Sequence, residues 1–189
     1  LPWITGGLGS ALVRFLAGRE RDEIKEGVFS ILLGVLCSSS AAGFILWSAA
    51  GLVDHFPSLS PLYNHRMPIA LLLVASSLLG ITRSYFRAMR QMVRHSVLSL
   101  VQHFGEVLFI TLCLLAGLAL HSALWAIIAV RSLLLLCTLV AVVHDLGIGR
   151  PKLHLLKTYL YFSIPLIPNS LFYRLYDSAD KLFLFVLLG

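Results

Sequence analysis

Charge is what this chain has least of. Asp, Glu, Lys and Arg make up 13% of its 189 residues, against about 25% in ordinary soluble domains. The three cysteines, Cys37, Cys113 and Cys137, all fall inside apolar runs without metal-ligand spacing. That excludes a disulfide framework and a zinc site read from cysteines. Seven histidines are scattered through loops and helix ends with no HExxH-type spacing, so they read as interfacial or satisfied residues rather than ligands. No Gly-rich phosphate loop, low-complexity linker or soluble domain interrupts the chain. Enzymatic chemistry has little to stand on, and no cofactor is expected.

What is present is apolar. Hydrophobic residues make up 58% and mean hydropathy is +0.88, so the chain is expected to be an integral membrane protein. Long apolar runs separated by short charged clusters point to spanning helices rather than to the alternating pattern of a barrel. The expected fold is all-α, a polytopic transmembrane bundle.

Cut at charged or turn-rich residues, the runs give about six spans, judged against the roughly 20 apolar residues that a crossing needs. They are Leu1 to Ala17, which is partial, Gly27 to Val53, Met67 to Phe86, Leu98 to Leu120, Ser122 to Val143, and Tyr159 to Gly189. The chain opens at Leu1 without an initiator Met or a basic flank, and ends on an apolar run. It therefore reads as a piece of a longer protein, inserted by its spans rather than by a cleaved signal.

A net charge of +6 suggests nucleic acid in a soluble chain. Here the basic residues flank spans, and nucleic acid is not expected. Arg14, Arg19, Arg21 and Lys25 follow the first span, Arg83, Arg87, Arg90 and Arg94 the third, and Arg150, Lys152 and Lys157 the fifth. These alternate connections are expected on the cytoplasmic side, and the Asp54 to Arg66 loop and the His121 turn on the other. Within Arg83 to Arg94 the arginines are spaced by four, three and four, which lines them on one helical face. Sensor arginines usually recur every third residue within the membrane, so this run reads as a cytoplasmic collar touching anionic lipid headgroups.

Six charges remain deep in two kinds of place. In the last span, at about 100° per residue, Arg174, Asp177, Asp180 and Lys181 fall within an arc of roughly 120°. The spacings Arg174 to Asp177 and Asp177 to Lys181 also allow mutual neutralisation. Four charges facing lipid would cost roughly 10 kcal/mol or more. The face is therefore either the lining of a cavity or an ion-pair ladder between packed helices. Pro165 and Pro168 stand just before it and are expected to bend or unwind the start of the span. Broken helices at membrane depth border cavities in transporters.

Glu106 and Arg131 complete the set. At a 1.5 Å rise per residue, Glu106 lies roughly 12 to 15 Å from one face and Arg131 roughly 14 Å from the other, so their depths nearly coincide. They are expected either to pair across neighbouring helices or to border one aqueous cavity. Ser38, Ser39, Ser40, Ala41, Ala42 and Gly43 read as a small-residue packing surface.

The run Tyr161-Phe162-Ser163-Ile164-Pro165-Leu166-Ile167-Pro168-Asn169-Ser170, then Asp177-Ser178-Ala179-Asp180-Lys181 and a closing Leu188-Gly189, resembles the seventh helix of polysaccharide flippases. Their pattern there is roughly S-x-P-L-I-P, S-x-D-[RK] and L-G. Gly7 to Phe15 looks like the end of the second helix. These flippases belong to the multidrug/oligosaccharidyl-lipid/polysaccharide exporter superfamily. The resemblance implies about twelve to fourteen helices in two six-helix lobes that move a lipid-linked glycan across the bacterial inner membrane by alternating access. Residues 1–158 would form most of the first lobe and 159–189 the first helix of the second.

On that reading Arg174 and Lys181, with Arg131 as a further candidate, would neutralise a polyprenyl pyrophosphate. Asp177, Asp180 and Glu106 would hold those cations or bind a coupling proton or sodium ion. A cation-coupled drug antiporter of the same superfamily is the alternative, and a membrane glycan-processing enzyme is a more distant one.

Overall fold

The computed structural model describes residues 7–16, 20–49, 65–118, 120–166, 168 and 172. They form six helices: α1 (Leu8–Leu16), α2 (Arg21–Ala49), α3 (Arg66–Ala88), α4 (Met92–Leu115), α5 (Leu120–Leu146) and α6 (Leu153–Ser163). No strand occurs among the described residues. The protein is an all-α, polytopic bundle, and α2, α3, α4 and α5 are each long and apolar enough to cross a membrane. In hydrocarbon the backbone must satisfy its own polar groups, so apolar runs of this length are forced into helices.

The two outer candidates are described only in part. The described part of the first is the nine-residue α1. At the other end, Tyr159 to Ser163 belongs to α6, an 11-residue helix that starts at Leu153 and runs through residues 158 and 159. Helix α6 ends at Ser163, two residues before Pro165. Ile164 and Pro165 form a turn directly after Ser163.

A tightly packed region unites α1, α2, α3, α5 and α6. Leu12, Ile31, Val35 and Val142 are fully buried there, with Tyr85, Phe86 and Tyr159 alongside. Small residues set the spacing: a Cβ at Gly27 would lie 2.7 Å from the Tyr159 hydroxyl, and one at Gly34 would lie 2.6 Å from Leu156 Cδ1. Phe15 meets Phe162 edge-on at 5.2 Å, and the Arg14 guanidinium lies 4.8 Å from the centre of the same ring. The small-residue surface of α2 also has a partner, since Ser39 is fully buried and a Cβ at Gly43 would lie 3.6 Å from Ala70 Cβ.

Helix α4 is the exception. Gln102 is its one buried residue, and Phe104, Val107 and Leu115 stand exposed.

The connections sort by charge. At one end Arg94 pairs with Asp145 at 2.8 Å, Arg21 donates to the Asp145 carbonyl, and Lys152 pairs with Glu26 at 2.7 Å. The opposite end carries Trp47, His65, Arg66, His121 and Trp125, in contact through rings and a cation-π pair. The three connections rich in Lys and Arg thus gather at one end of the bundle, as the alternation of charge requires.

Candidate functional site

Membrane depth puts a strong constraint on Glu106 and Arg131, because an unpaired charge there is expensive. Glu106 lies about 13 Å from the C-terminal end of α4, and Arg131 about 16 Å from the N-terminal end of α5, at 1.5 Å per residue. The helices are antiparallel, so both depths are measured from the same end. The side chains meet. Arg131 Nε donates to Glu106 Oε1 at 2.7 Å and Nη2 donates to Oε2 at 3.1 Å. Of the two arrangements open to them, the structure contains the pair.

The pair sits within a larger network. Arg131 Nη1 donates to the Ser76 hydroxyl of α3, whose proton goes to the Leu72 carbonyl. Gln102, one turn before Glu106 on α4, donates its Nε2 hydrogen to Glu106 Oε1 at 2.6 Å. Three helices therefore meet through polar groups, with side-chain exposures of 21% for Arg131 and 14% for Glu106. Nearer the basic end the Thr138 and Thr82 hydroxyls join α5 to α3 at 3.1 Å.

Two buried atoms of this region have no hydrogen-bond partner, Arg83 Nε and Gln102 Oε1. Arg83 lies seven residues beyond Ser76 on the same face of α3, so a second guanidinium stands about two helical turns from the pair. The local sum is two guanidinium groups against one carboxylate.

This placement corrects the single-face reading of Arg83 to Arg94. The run is not one helix: α3 ends at Ala88, α4 begins at Met92, and Arg90 between them has φ 57°. Gln91 N–H bonds to the Phe86 carbonyl at 2.8 Å and Arg90 N–H to the Arg87 carbonyl at 3.1 Å, the double closure of a Schellman turn. Arg87, Arg90 and Arg94 are exposed at the basic end, whereas Arg83 is partly buried. A cavity of about 510 Å³ opens beside this turn between Phe86, Val97, Cys137 and Ala141, with Arg94 and Asp145 on its wall.

Arg174, Asp177, Asp180 and Lys181 lie outside the described residues. Pro165 and Pro168 are described and both are exposed. Sequence reasoning overlooked Ser76, Gln102 and Asp145. Gln102 carried a signal, the four-residue spacing to Glu106 that puts both on one helical face. Ser76 and Asp145 carried none, since their partners lie 55 and 51 residues away in the chain.

Among the described residues, no group of three or more His, Cys, Asp or Glu side chains converges to hold a metal ion. Comparisons with protein-family models, with curated proteins and with solved structures find no match to this chain.

Proposed function

We propose that this chain is part of a membrane transporter that flips a lipid-linked oligosaccharide, a polyprenyl pyrophosphate glycan, across the bacterial inner membrane by alternating access. The observation that carries the reading is the excess of positive charge at Arg131, Arg83 and Glu106 inside an apolar bundle. A pyrophosphate headgroup cannot enter hydrocarbon, and fixed cations favour it where water is scarce. The isoprenoid tail can remain in the lipid beside the bundle. Arg174 and Lys181 supply two further cations, and Asp177 and Asp180 two carboxylates, for holding them or for binding a coupling proton or sodium ion. The flippase-like motifs of Tyr161 to Gly189 support the same assignment. Arg87, Arg90 and Arg94 would rest against anionic headgroups of the cytoplasmic leaflet.

A cation-coupled drug antiporter would use Glu106 as a free carboxylate. Both of its oxygens already accept from Arg131, and Oε1 also accepts from Gln102, which favours the anionic substrate. The test is alanine at Arg174 and Lys181 together in the intact protein, with surface polysaccharide measured at matched protein levels. Loss of polysaccharide is expected. Unchanged polysaccharide, or dye efflux conferred by the unaltered protein, would reverse the assignment.

A further inference from the structure

The cavity beside the α3–α4 turn has two chemistries at two depths. Helix α4 has 24 residues and α5 has 27, about 36 and 40 Å at 1.5 Å per residue, against a hydrocarbon layer about 30 Å thick. A helix centred in that layer overhangs it by about 3–5 Å at either end, about two or three residues. Arg94, near the start of α4, and Asp145, near the end of α5, therefore stand at the boundary. Val97, Leu98, Cys137 and Ala141 line the cavity beneath them, in hydrocarbon. Cys137 lies about 12 Å further along α5 than Asp145.

The floor offers nothing polar. Thr138 is 1% exposed, and its hydroxyl is engaged with Thr82 and the Leu135 carbonyl. Val93 and Val140 on the edges are 77% and 62% exposed, so the groove opens on the outer surface of the bundle, where lipid chains are. Its volume of about 510 Å³ is that of a site able to enclose a small molecule.

The mouth is different. Arg94 makes both of its hydrogen bonds through Nη1, to Asp145 Oδ2 at 2.8 Å and to Gln91 Oε1 at 3.1 Å. Its Nε and Nη2 have no hydrogen-bond partner among the described residues. That edge of a guanidinium presents two parallel N–H groups, the geometry that grips a phosphate. Arg87 and Arg90 follow Phe86 of the cavity wall within four residues, and both are exposed. Neither has an ion-pair partner among the described residues. Arg21 adds a fourth cation, on the Asp145 carbonyl. Asp145 is the single carboxylate of the lining, so the mouth carries net positive charge.

We infer that this groove binds one anionic phospholipid from the leaflet at the basic end. An acyl chain lies along Val97, Leu98, Cys137 and Ala141, and the headgroup phosphate rests on the free edge of Arg94. A chain alone finds the same solvent anywhere around the bundle, and a phosphate alone has no use for an apolar floor. A phospholipid engages both, each at the depth where it belongs. The site goes beyond general attraction of the basic end for headgroups, since it fixes one lipid at one place, and it does not rest on the transport reading.

The test uses phosphatidylglycerol with a photoreactive group on one acyl chain, added to the purified protein in detergent micelles, with crosslinked peptides mapped by mass spectrometry. Crosslinks are expected on residues 93–98 of α4 and 137–144 of α5, with one lipid per protein. Unlabelled phosphatidylglycerol should displace the probe at about tenfold lower concentration than phosphatidylcholine does. Arg94→Gln should erase that preference. Val97→Trp fills the floor and leaves Arg94 and Asp145 in place, so it should abolish the crosslinks, and it keeps the test decisive if Arg94→Gln does not fold. Crosslinks spread all around α4, equal displacement by the two lipids, or a preference that survives Arg94→Gln would overturn the site. So would a groove that takes no lipid because another part of the protein or a second copy covers it.

Discussion

Arg131 approaches Glu106 side-on across the interface of α4 and α5, with two nitrogens on two carboxylate oxygens at 2.7 and 3.1 Å. Removing one partner leaves the other charged and unpaired at membrane depth, at a cost of about 3–5 kcal/mol. Glu106→Gln and Arg131→Gln should each lower the thermal midpoint of the detergent-solubilised protein. The exchange of Glu106→Arg with Arg131→Glu should recover most of it. A double variant no better than either single charge reversal would show that the pair does not fasten the helices.

Ser76 offers a narrower test of the same network. Its hydroxyl accepts from Arg131 Nη1, and Ser76→Ala leaves that donor without its acceptor at a cost of about 1–3 kcal/mol. In an Arg131→Gln background the same change should cost much less. The double-mutant cycle reads the difference directly.

Arg90 is the one described non-glycine residue with positive φ, at 57°. A left-handed conformation costs an L-residue roughly 1–2 kcal/mol, partly offset by the greater freedom that glycine has in the unfolded chain. Arg90→Gly should therefore stabilise by about 0.5–1 kcal/mol. Arg90→Ala should not. Midpoints measured side by side separate relief of backbone strain from loss of a surface charge.

Gly149 lies against the first turns of α2, where an added Cβ would be 2.8 Å from the Lys25 carbonyl oxygen and 3.0 Å from its carbon. Backbone cannot rotate aside, so Gly149→Ala should destabilise by about 1–3 kcal/mol. Gly80 is the control, since nothing lies within 4 Å of its added Cβ. There, alanine should raise stability by up to about 1 kcal/mol through helix propensity.

The bundle was legible from apolar run length, because hydrocarbon leaves the backbone few options. Its helix ends were not. Helix α2 starts at Arg21 rather than Gly27 because Asp22 and Glu23 suit a helix N-terminus outside the apolar layer. The depth of Glu106 and Arg131 followed from counting residues along each helix, and depth alone made them candidates to meet. The arginine run defeated the same arithmetic. Its spacing fits a continuous helix, and no glycine or proline marks the turn that Arg90 makes instead. Contacts such as His65 with His121 depend on how two hairpins lie side by side, which no local pattern encodes.

Helix α4 touches its neighbours through little that is apolar and buried, and Gln102 is its one enclosed residue. Hydrocarbon solvates leucine as well outside a helix interface as within it, so apolar contact alone gives such a helix little reason to stay. What fastens α4 at mid-depth is polar: Glu106 accepts from Arg131 of α5, and Arg131 reaches on to Ser76 of α3. The position of α4 therefore hangs more on that contact than on a packed apolar face, so α4 is the helix that a change at Glu106 or Arg131 would loosen first.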